Sequence, residues 1–598
     1  GKMTTPTSTS TMAPPSNNFV RALLTDTYQI TMTYAHWKIG KHLDESVFEL
    51  FFRKNPFPNG QYTICCGIDE VLKHLSNFTF TKDDIEYLKS TASLQHCEDG
   101  FFDYLSKLST SQLTTVHAIP EGTIVFPKIP LLTLKGPLGL CQLLETTLLN
   151  LVNYPSLIAT NASRMVIRAY PYDCVEFGLR RAQGPDGAMS ASKYSYVGGF
   201  VATSNVQAGK TFDIPITGTH AHAYVQSFVS LEEVSSSLKL RNKTTNTDEL
   251  FVPHVLKHLQ QHQRQQSQKD DNNGDKSSLS PPPIHTNQGE LAAFCAYACA
   301  FPNSCLCLID TYDTIRSGLV NFIAVAKTLM DFGYQPKGVR LDSGDLASLS
   351  KQCRQAFQRV IELEPNRASG FGDSLMIIAS NDINEKTLSE LKEVGHAITA
   401  FGIGTNLVTC QAQPALGCVY KLVEWKNQSR IKLSQDLPKM TLPGQKRVYR
   451  LYGTRTDRST TTTTTYVPLV DYIALAHEDP PQAITTEESE GNDTSRTAAG
   501  VLCRHPFNPQ HRLRVKPTKV ECLHELVFAN GGVVQDESNT TLKSSLSETR
   551  SYVQRQLKMF PSTMTEYKTA TPYHVMVSPA LYQELHDIWE REAPVEEL

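Results

Sequence analysis

Several common signatures are missing from this chain of 598 residues. Cysteine is unremarkable in number, 14 in all, but no two stand as CxxC, so neither a zinc ribbon nor a thioredoxin-like motif has support. Cys65-Cys66 and Cys305-x-Cys307 lie in apolar, strand-like runs and read as reduced core thiols. An excess of charge is missing too. Lys and Arg number 57 against 60 Asp and Glu, a formal net charge of −3. That provides no field for gripping nucleic acid and no basic face for an anionic membrane. No apolar run approaches the roughly 18 residues of a membrane span. Residues 1–18 are rich in Thr, Ser and Pro, without the apolar centre of a secretory signal. No repeat recurs at solenoid periods. The expectation is a cytoplasmic protein with neither nucleic acid nor membrane as partner.

Hydrophobic content is 40%, a little low for a compact globule, which points to a globular body diluted by polar filler. Residues 1–18 read as a disordered tail, and the Gln- and Pro-rich stretch 257–288 as a disordered insert, because such segments bury too little apolar area to offset their conformational entropy. Residues 454–465, ending in a threonine run, and the acidic stretch 478–497 read as loop insertions. Between them the signal is strong. Leu143, Leu144, Thr147, Leu148, Leu151 and Val152 have the spacing of a buried helix. From about 303 onward, short apolar runs (306–309, 338–341, 375–378 and 397–401) each end in a polar loop and a helical pattern. Alternating βα units imply a parallel sheet, and at least four in succession favour a (β/α) barrel.

In parallel α/β folds the loops that follow the strands share one pocket. Four such loops are polar: 310–313, 340–345, 380–382 and 402–405. Asp, Ser and Asn after a strand also cap helices, but Arg340 lies inside a short strand, where a charge must pair or bind an anion. Gly402-Ile-Gly-Thr405 is a glycine-bearing loop able to cradle a phosphate, although it is neither a Walker A loop nor a dinucleotide fingerprint. Upstream, Arg180 and Arg181 follow the apolar run 174–177 and suit a phosphate or carboxylate. Thr217-Gly-Thr-His-Ala-His222 follows the strand-like run 212–216. Its His-x-His has two sharp readings. His220 and His222 form a metal pair of a barrel hydrolase, or one of them is a functional histidine beside a neighbour that faces away. His254, His258 and His262 have helical spacing but adjoin the Gln-rich insert, and low complexity is the simpler reading.

Leu23-Leu-Thr-Asp-Thr-Tyr-Gln29, Phe48-Glu-Leu-Phe-Phe-Arg53, Gly178-Leu-Arg-Arg-Ala-Gln-Gly-Pro-Asp-Gly187, Gly218-Thr-His-Ala-His222, Val339-Arg-Leu-Asp-Ser-Gly-Asp345 and Phe401-Gly-Ile-Gly-Thr405 together resemble the nicotinate phosphoribosyltransferase family. The resemblance runs from about 19 to 425 and more loosely to the C-terminus. It implies an α/β fold: an irregular (β/α) barrel of the type II phosphoribosyltransferases, expected over 164–420, with a second α+β domain built from the N-terminal region 19–163 and the C-terminal region 421–598. The implied reaction joins nicotinate to phosphoribosyl diphosphate, with ATP as co-substrate and Mg²⁺ or Mn²⁺ as cofactor. By resemblance, His222 matches the family's phosphohistidine, Asp342 an aspartate that holds the ribose hydroxyls, and Tyr28, Phe177, Thr219 and Arg340 the nicotinate contacts. Arg180, Ser380, Asn381, Gly402, Gly404 and Thr405 fall to the phosphoribosyl and phosphate groups. The resemblance also implies a homodimer with shared active sites, Tyr28 arriving from the second subunit.

Overall fold

A computed structural model describes the chain apart from residues 1–7, 11, 271–285, 435, 437–438, 457–463, 485–499, 536–544, 568–569 and 594–598. It divides into two units: Gly1–Ala162, Lys193–Gly199 and Cys410–Leu598 in the first, Ser163–Ser192 and Phe200–Thr409 in the second. The first boundary falls inside a continuous helix, Glu145–Ala169, so no loop marks it in the sequence. The last, after Thr409, falls about ten residues earlier than the barrel's expected end.

Two antiparallel-rich sheets organise the first unit. One has eight strands, with Glu45–Phe52 between Leu132–Pro137 and Cys418–Trp425. At its far side Ser8–Ser10 pairs with Gly532–Gln535. The expectation of disorder over 1–18 is therefore corrected for Ser8–Ser10. It is corrected for Ser16 too, whose amide and hydroxyl donate to Glu70 at 2.8 and 2.6 Å. Both contacts join residues far apart in sequence, which composition cannot register. The other sheet has six strands, and its long hairpin Lys446–Thr456 with Thr464–Leu475 frames the threonine-rich stretch. Residues 454–456 and 464–465 are thus strand, while the tip and 485–497 lie outside the described residues. Tyr449, Leu451, Val470, Tyr472 and Met576 form this sheet's core.

Two ion pairs are sealed in the first unit. Arg450 meets Asp471 through two bonds of 2.7 Å and donates to the Ile124 carbonyl at 2.7 Å. Lys446 meets Glu49 at 2.9 Å and donates to the carbonyls of Leu442, Pro443 and Gly444.

The second unit is built on six parallel strands: β1 (Asp173–Glu176), β2 (Ala202–Thr203), β3 (Leu306–Leu308), β4 (Gly338–Leu341), β5 (Met376–Ala379) and β6 (Ala400–Ile403). β3, β4 and β5 each pair with the next strand, and β6 pairs back with β1. β1 pairs with β2, and Thr203 bridges Ile216. The order is circular, with a gap between the Ile216 segment and β3, as an irregular barrel requires. The run 212–216 is not a strand. Val206–Phe212 is helical, capped by the Asn205 side chain, and the run reaches the sheet only at its end, where the Pro215 carbonyl accepts from the Thr203 amide at 3.0 Å and Ile216 bridges Thr203.

The stretch 257–288 is corrected as well. A helix spans Phe251–Asp270, with Phe251, Val252, Val255 and Leu259 buried, and another begins at Gln288. Glutamine is a good helix former, and four buried side chains on one face anchor the first two turns. Residues 271–285 lie outside the described residues.

Candidate active site

The barrel loops gather most of the candidate side chains. Arg340, on β4, is held by hydroxyls on two sides. Its Nη1 donates to Thr219 Oγ1 at 2.8 Å and its Nε to Ser380 Oγ at 3.2 Å. Ser380 in turn donates to Asp342 Oδ1 at 2.5 Å. Nη2 of Arg340 stands 3.7 Å from Asp342 Oδ2, outside hydrogen-bond distance. The guanidinium lies 5.8 Å from the centre of the Phe177 ring. An aromatic plate and an incompletely engaged fork thus face one another, which suits a flat carboxylate.

Phe177 owes its place to glycine. A Cβ on Gly402 would come within 2.4 Å of the Phe177 ring, and one on Gly404 within 3.1 Å of its carbonyl. The glycines expected to approach a phosphate therefore first make room for Phe177. Thr405 opens a one-turn helix, Thr405–Val408, directly after β6. Arg180 stands exposed in the turn Leu179–Arg181. Asn381 and the neighbouring Asp382 adopt φ of +96° and +47°, unusual for residues with a side chain. Such strain persists where surrounding structure imposes it and is frequent at functional sites.

His222 begins a short helix, His222–Gln226. Its Nδ1 lies 3.0 Å from Thr311 Oγ1 and its Nε2 3.6 Å from Asp342 and 4.0 Å from Asp310. Asp310 accepts from the Asp342 amide at 2.9 Å and from Ser343 Oγ at 2.5 Å, which locks the two loops together. Its other oxygen, Oδ1, is buried without a hydrogen-bond partner among the described residues.

His220 has a different task. Its Nε2 accepts the Leu308 amide at 3.3 Å, so the imidazole spans the barrel's gap beside β3. Its ring packs on Tyr224, Phe294 and Tyr297, and burial lowers its pKa to about 4. A neutral imidazole with Nε2 occupied by an amide is no metal ligand, so the paired-histidine hydrolase reading is corrected. Among the described residues no group of three or more His, Cys, Asp or Glu could hold a metal ion. His258 is likewise structural, pairing with Asp331 at 2.5 Å.

Tyr28 is placed elsewhere, on the helix Thr27–Lys38 of the first unit, 49% exposed. Other residues escaped sequence reasoning. Glu176, sealed at the end of β1, accepts from Ser192 at 2.8 Å, from Thr203 at 2.5 Å and from the Gly178 amide, and so shapes the turn that carries Arg180. A glutamate inside an apolar strand was the available signal. Glu290 is fully buried and accepts from Ser317 at 2.6 Å and Asn321 at 3.0 Å. Burial, aided by Asp310 and Asp313, raises its pKa to about 7 against those hydrogen bonds. Ser317 lies in the wide turn Thr314–Gly318 that follows the Asp310–Thr311 loop, so Glu290 braces that loop from behind.

Comparison with known proteins adds independent findings. Residues 23–153 match the nicotinate phosphoribosyltransferase N-terminal domain, 172–438 the nicotinate phosphoribosyltransferase family and 445–585 its C-terminal domain. Over 585 residues the chain is 47% identical to nicotinate phosphoribosyltransferase 2 of Arabidopsis thaliana, covering 98% of this chain and 97% of that one. Nicotinate phosphoribosyltransferase of Homo sapiens is 37% identical over 593 residues, covering 97% and 99%. The crystal structure of human nicotinic acid phosphoribosyltransferase superimposes with a TM-score of 0.76 at 35% identity, covering 95% of this chain and all of that one.

Proposed function

The chain belongs to the nicotinate phosphoribosyltransferase family, and from that premise we propose how its residues divide the work. The enzyme acts in NAD synthesis, joining nicotinate to phosphoribosyl diphosphate to give nicotinate mononucleotide and diphosphate. Arg340 carries the reading: a partly buried arginine braced by Thr219 and Ser380 and facing the Phe177 ring. Nicotinate lays its ring on Phe177 and its carboxylate on the free edge of the Arg340 fork. Its ring nitrogen then attacks the anomeric carbon as the carbon–oxygen bond to diphosphate breaks, and the diphosphate leaves with the electron pair. Positive charge develops on the ribose in that passage. Asp342, held by Ser380, stabilises it and orients the ribose hydroxyls. Arg180, Asn381 and Thr405, with the backbone at 402–404, receive the phosphates.

Two carboxylates, Asp310 with a buried oxygen that has no partner among the described residues and Asp342 beside it, offer the hard oxygens that Mg²⁺ or Mn²⁺ takes alongside phosphate. A cation there would screen the diphosphate's negative charge. His222 is the site of ATP coupling. With Nδ1 held by Thr311, Nε2 is the atom to accept the γ-phosphoryl group, releasing ADP, and later to return it to water. The added negative charge changes how the cluster binds phosphoribosyl diphosphate. Tyr28, half-exposed on the first unit, supplies a stacking face to the site of a second copy in a cytosolic homodimer.

Diphosphate release with nicotinate or nicotinamide, each with and without ATP, tests this reading. Turnover is expected with nicotinate alone of the two, and faster with ATP. Equal use of nicotinamide would remove the carboxylate role of Arg340.

A further inference from the structure

Asn287 caps the helix Gln288–Ala300, its side chain accepting from the Glu290 amide at 2.9 Å. Asn followed three residues later by Glu is the pattern of a capping box, in which the Glu side chain reaches back to the amide of the cap residue. Here that return bond runs through a third residue. The Asn287 amide donates to Ser317 Oγ at 2.9 Å, and Ser317 Oγ donates to Glu290 Oε2 at 2.6 Å. A hydroxyl from 30 residues further along the chain is thus threaded into the cap. Asn321 closes the cluster, its Nδ2 donating to Glu290 Oε2 at 3.0 Å and to the Asn287 carbonyl at 3.2 Å.

A helix cap alone does not need this arrangement. Glu290 is fully buried, and its Oε1 has no hydrogen-bond partner among the described residues. Sealing a carboxyl in that way costs stability, and the Asn287 side chain already caps the helix. What the carboxyl adds is a hold on the wide turn Thr314–Gly318, a geometry frequent at functional sites. The end of that turn lies hard against the strand before it, since a Cβ on Gly318 would collide with the Ile309 carbonyl. Its start is fixed by Asp313. The Asp313 side chain accepts from the Ile315 and Arg316 amides at 3.1 and 2.7 Å, and its carbonyl accepts from the Ser317 and Gly318 amides. Between Ile309 and Asp313 stand Asp310, which holds the 342–343 loop, and Thr311, which meets His222.

We propose that Glu290 is a positioning residue for the reaction: through Ser317 it fixes the turn that sets Asp310 and Thr311, and so the orientation of His222, a role that rests on His222 being the site of ATP coupling. Glu290 touches no reacting atom. It keeps Thr311 at His222 Nδ1, which leaves Nε2 to face the phosphoryl group. A shift of about 1 Å in such a contact costs up to about a hundredfold in rate.

Glu290→Gln and Glu290→Leu, compared with the parent by hydrogen–deuterium exchange and steady-state kinetics, test this. Gln keeps an oxygen that accepts from Ser317 and Asn321, whereas Leu keeps only the bulk. Glu290→Leu is expected to speed amide exchange over 310–318 and 342–343 and to lower ATP-stimulated kcat about tenfold. Its KM for nicotinate is expected to stay within about threefold, because Thr219, Ser380 and Phe177 lie outside this turn. Glu290→Gln is expected to restore parental exchange and turnover. Should Glu290→Leu not fold, Ser317→Ala, which removes the link and keeps the carboxyl, carries the same expectation. Parental exchange or parental ATP-stimulated kcat in the Leu variant, a Gln variant as impaired as the Leu one, or a rise in KM matching the fall in kcat would overturn the proposal. A parent whose turnover ATP leaves unchanged would sink the reading of His222 instead, since exchange reports on the turn without it.

Discussion

Two regions treat charge in opposite ways, the sealed ion pairs of the first unit and the barrel loops of the second. In the first, the Arg450–Asp471 pair is saturated: two hydrogen bonds forming one bidentate pair, a carbonyl and a tyrosine hydroxyl. Lys446 is surrounded by Glu49 and three carbonyls. In the second, Arg340 leaves one edge of its fork outside hydrogen-bond distance of Asp342, and Asp310 and Glu290 each bury an oxygen without a partner among the described residues. A saturated buried charge locks a fold. An unsaturated one raises the free energy of the empty site and is relieved by what binds there.

That contrast can be broken by removing one cation from each side. Arg340→Met should lower kcat/KM for nicotinate about a thousandfold, near 4 kcal/mol, with the melting temperature shifted by only a few degrees. A collapse in melting temperature would show that Arg340 is structural after all. Arg450→Met should do the reverse. It strands Asp471 and should cost about 3–4 kcal/mol of stability, while kcat per folded molecule stays within about twofold. Denaturant unfolding beside steady-state kinetics reads both.

Glu290 sharpens the comparison through pH. Its pKa near 7 lies above the ordinary 4.5, so the folded chain holds a proton that the unfolded chain releases. The stability that proton contributes is complete below pH 4.5 and is lost as pH rises through 7. Glu290→Gln, which cannot ionise, should therefore gain on the parent by about 2 kcal/mol between pH 5 and pH 8. Parallel melting curves at the two pH values would expose a constant difference instead. The smallest effect is expected at the half-exposed His222. His222→Ala should lose ATP stimulation, about tenfold, and keep ATP-independent turnover. Full ATP coupling in that variant would exclude the phospho-acceptor role.

The barrel's later strands were legible because each short apolar run ends abruptly in Asp, Ser or Gly. β3, β4, β5 and β6 lie within a few residues of the runs at 306, 338, 375 and 397. Arg340 was legible for the opposite reason, a charge inside a strand. What stayed hidden depends on non-local pairing. Nothing in Ser8–Ser10 announces a partner more than 500 residues away. Nothing around His220 tells that its ring stands in for a missing ladder bond to Leu308. The helix Phe251–Asp270 was masked by its glutamine content, since composition reports solubility while four anchor residues decide the structure. At 212–216 a short apolar run resembled a strand, but the capping Asn205 starts a helix just upstream.

The edge pairing of Ser8–Ser10 with Gly532–Gln535 also sets a timetable for synthesis. All six strands of the barrel have left the ribosome once Thr409 has emerged, whereas the eight-stranded sheet still waits for its 525–535 hairpin. The earliest strands of the chain must therefore stand without their final neighbours through most of translation. Exposed strand edges during synthesis are therefore a matter for the first unit's sheet more than for the barrel.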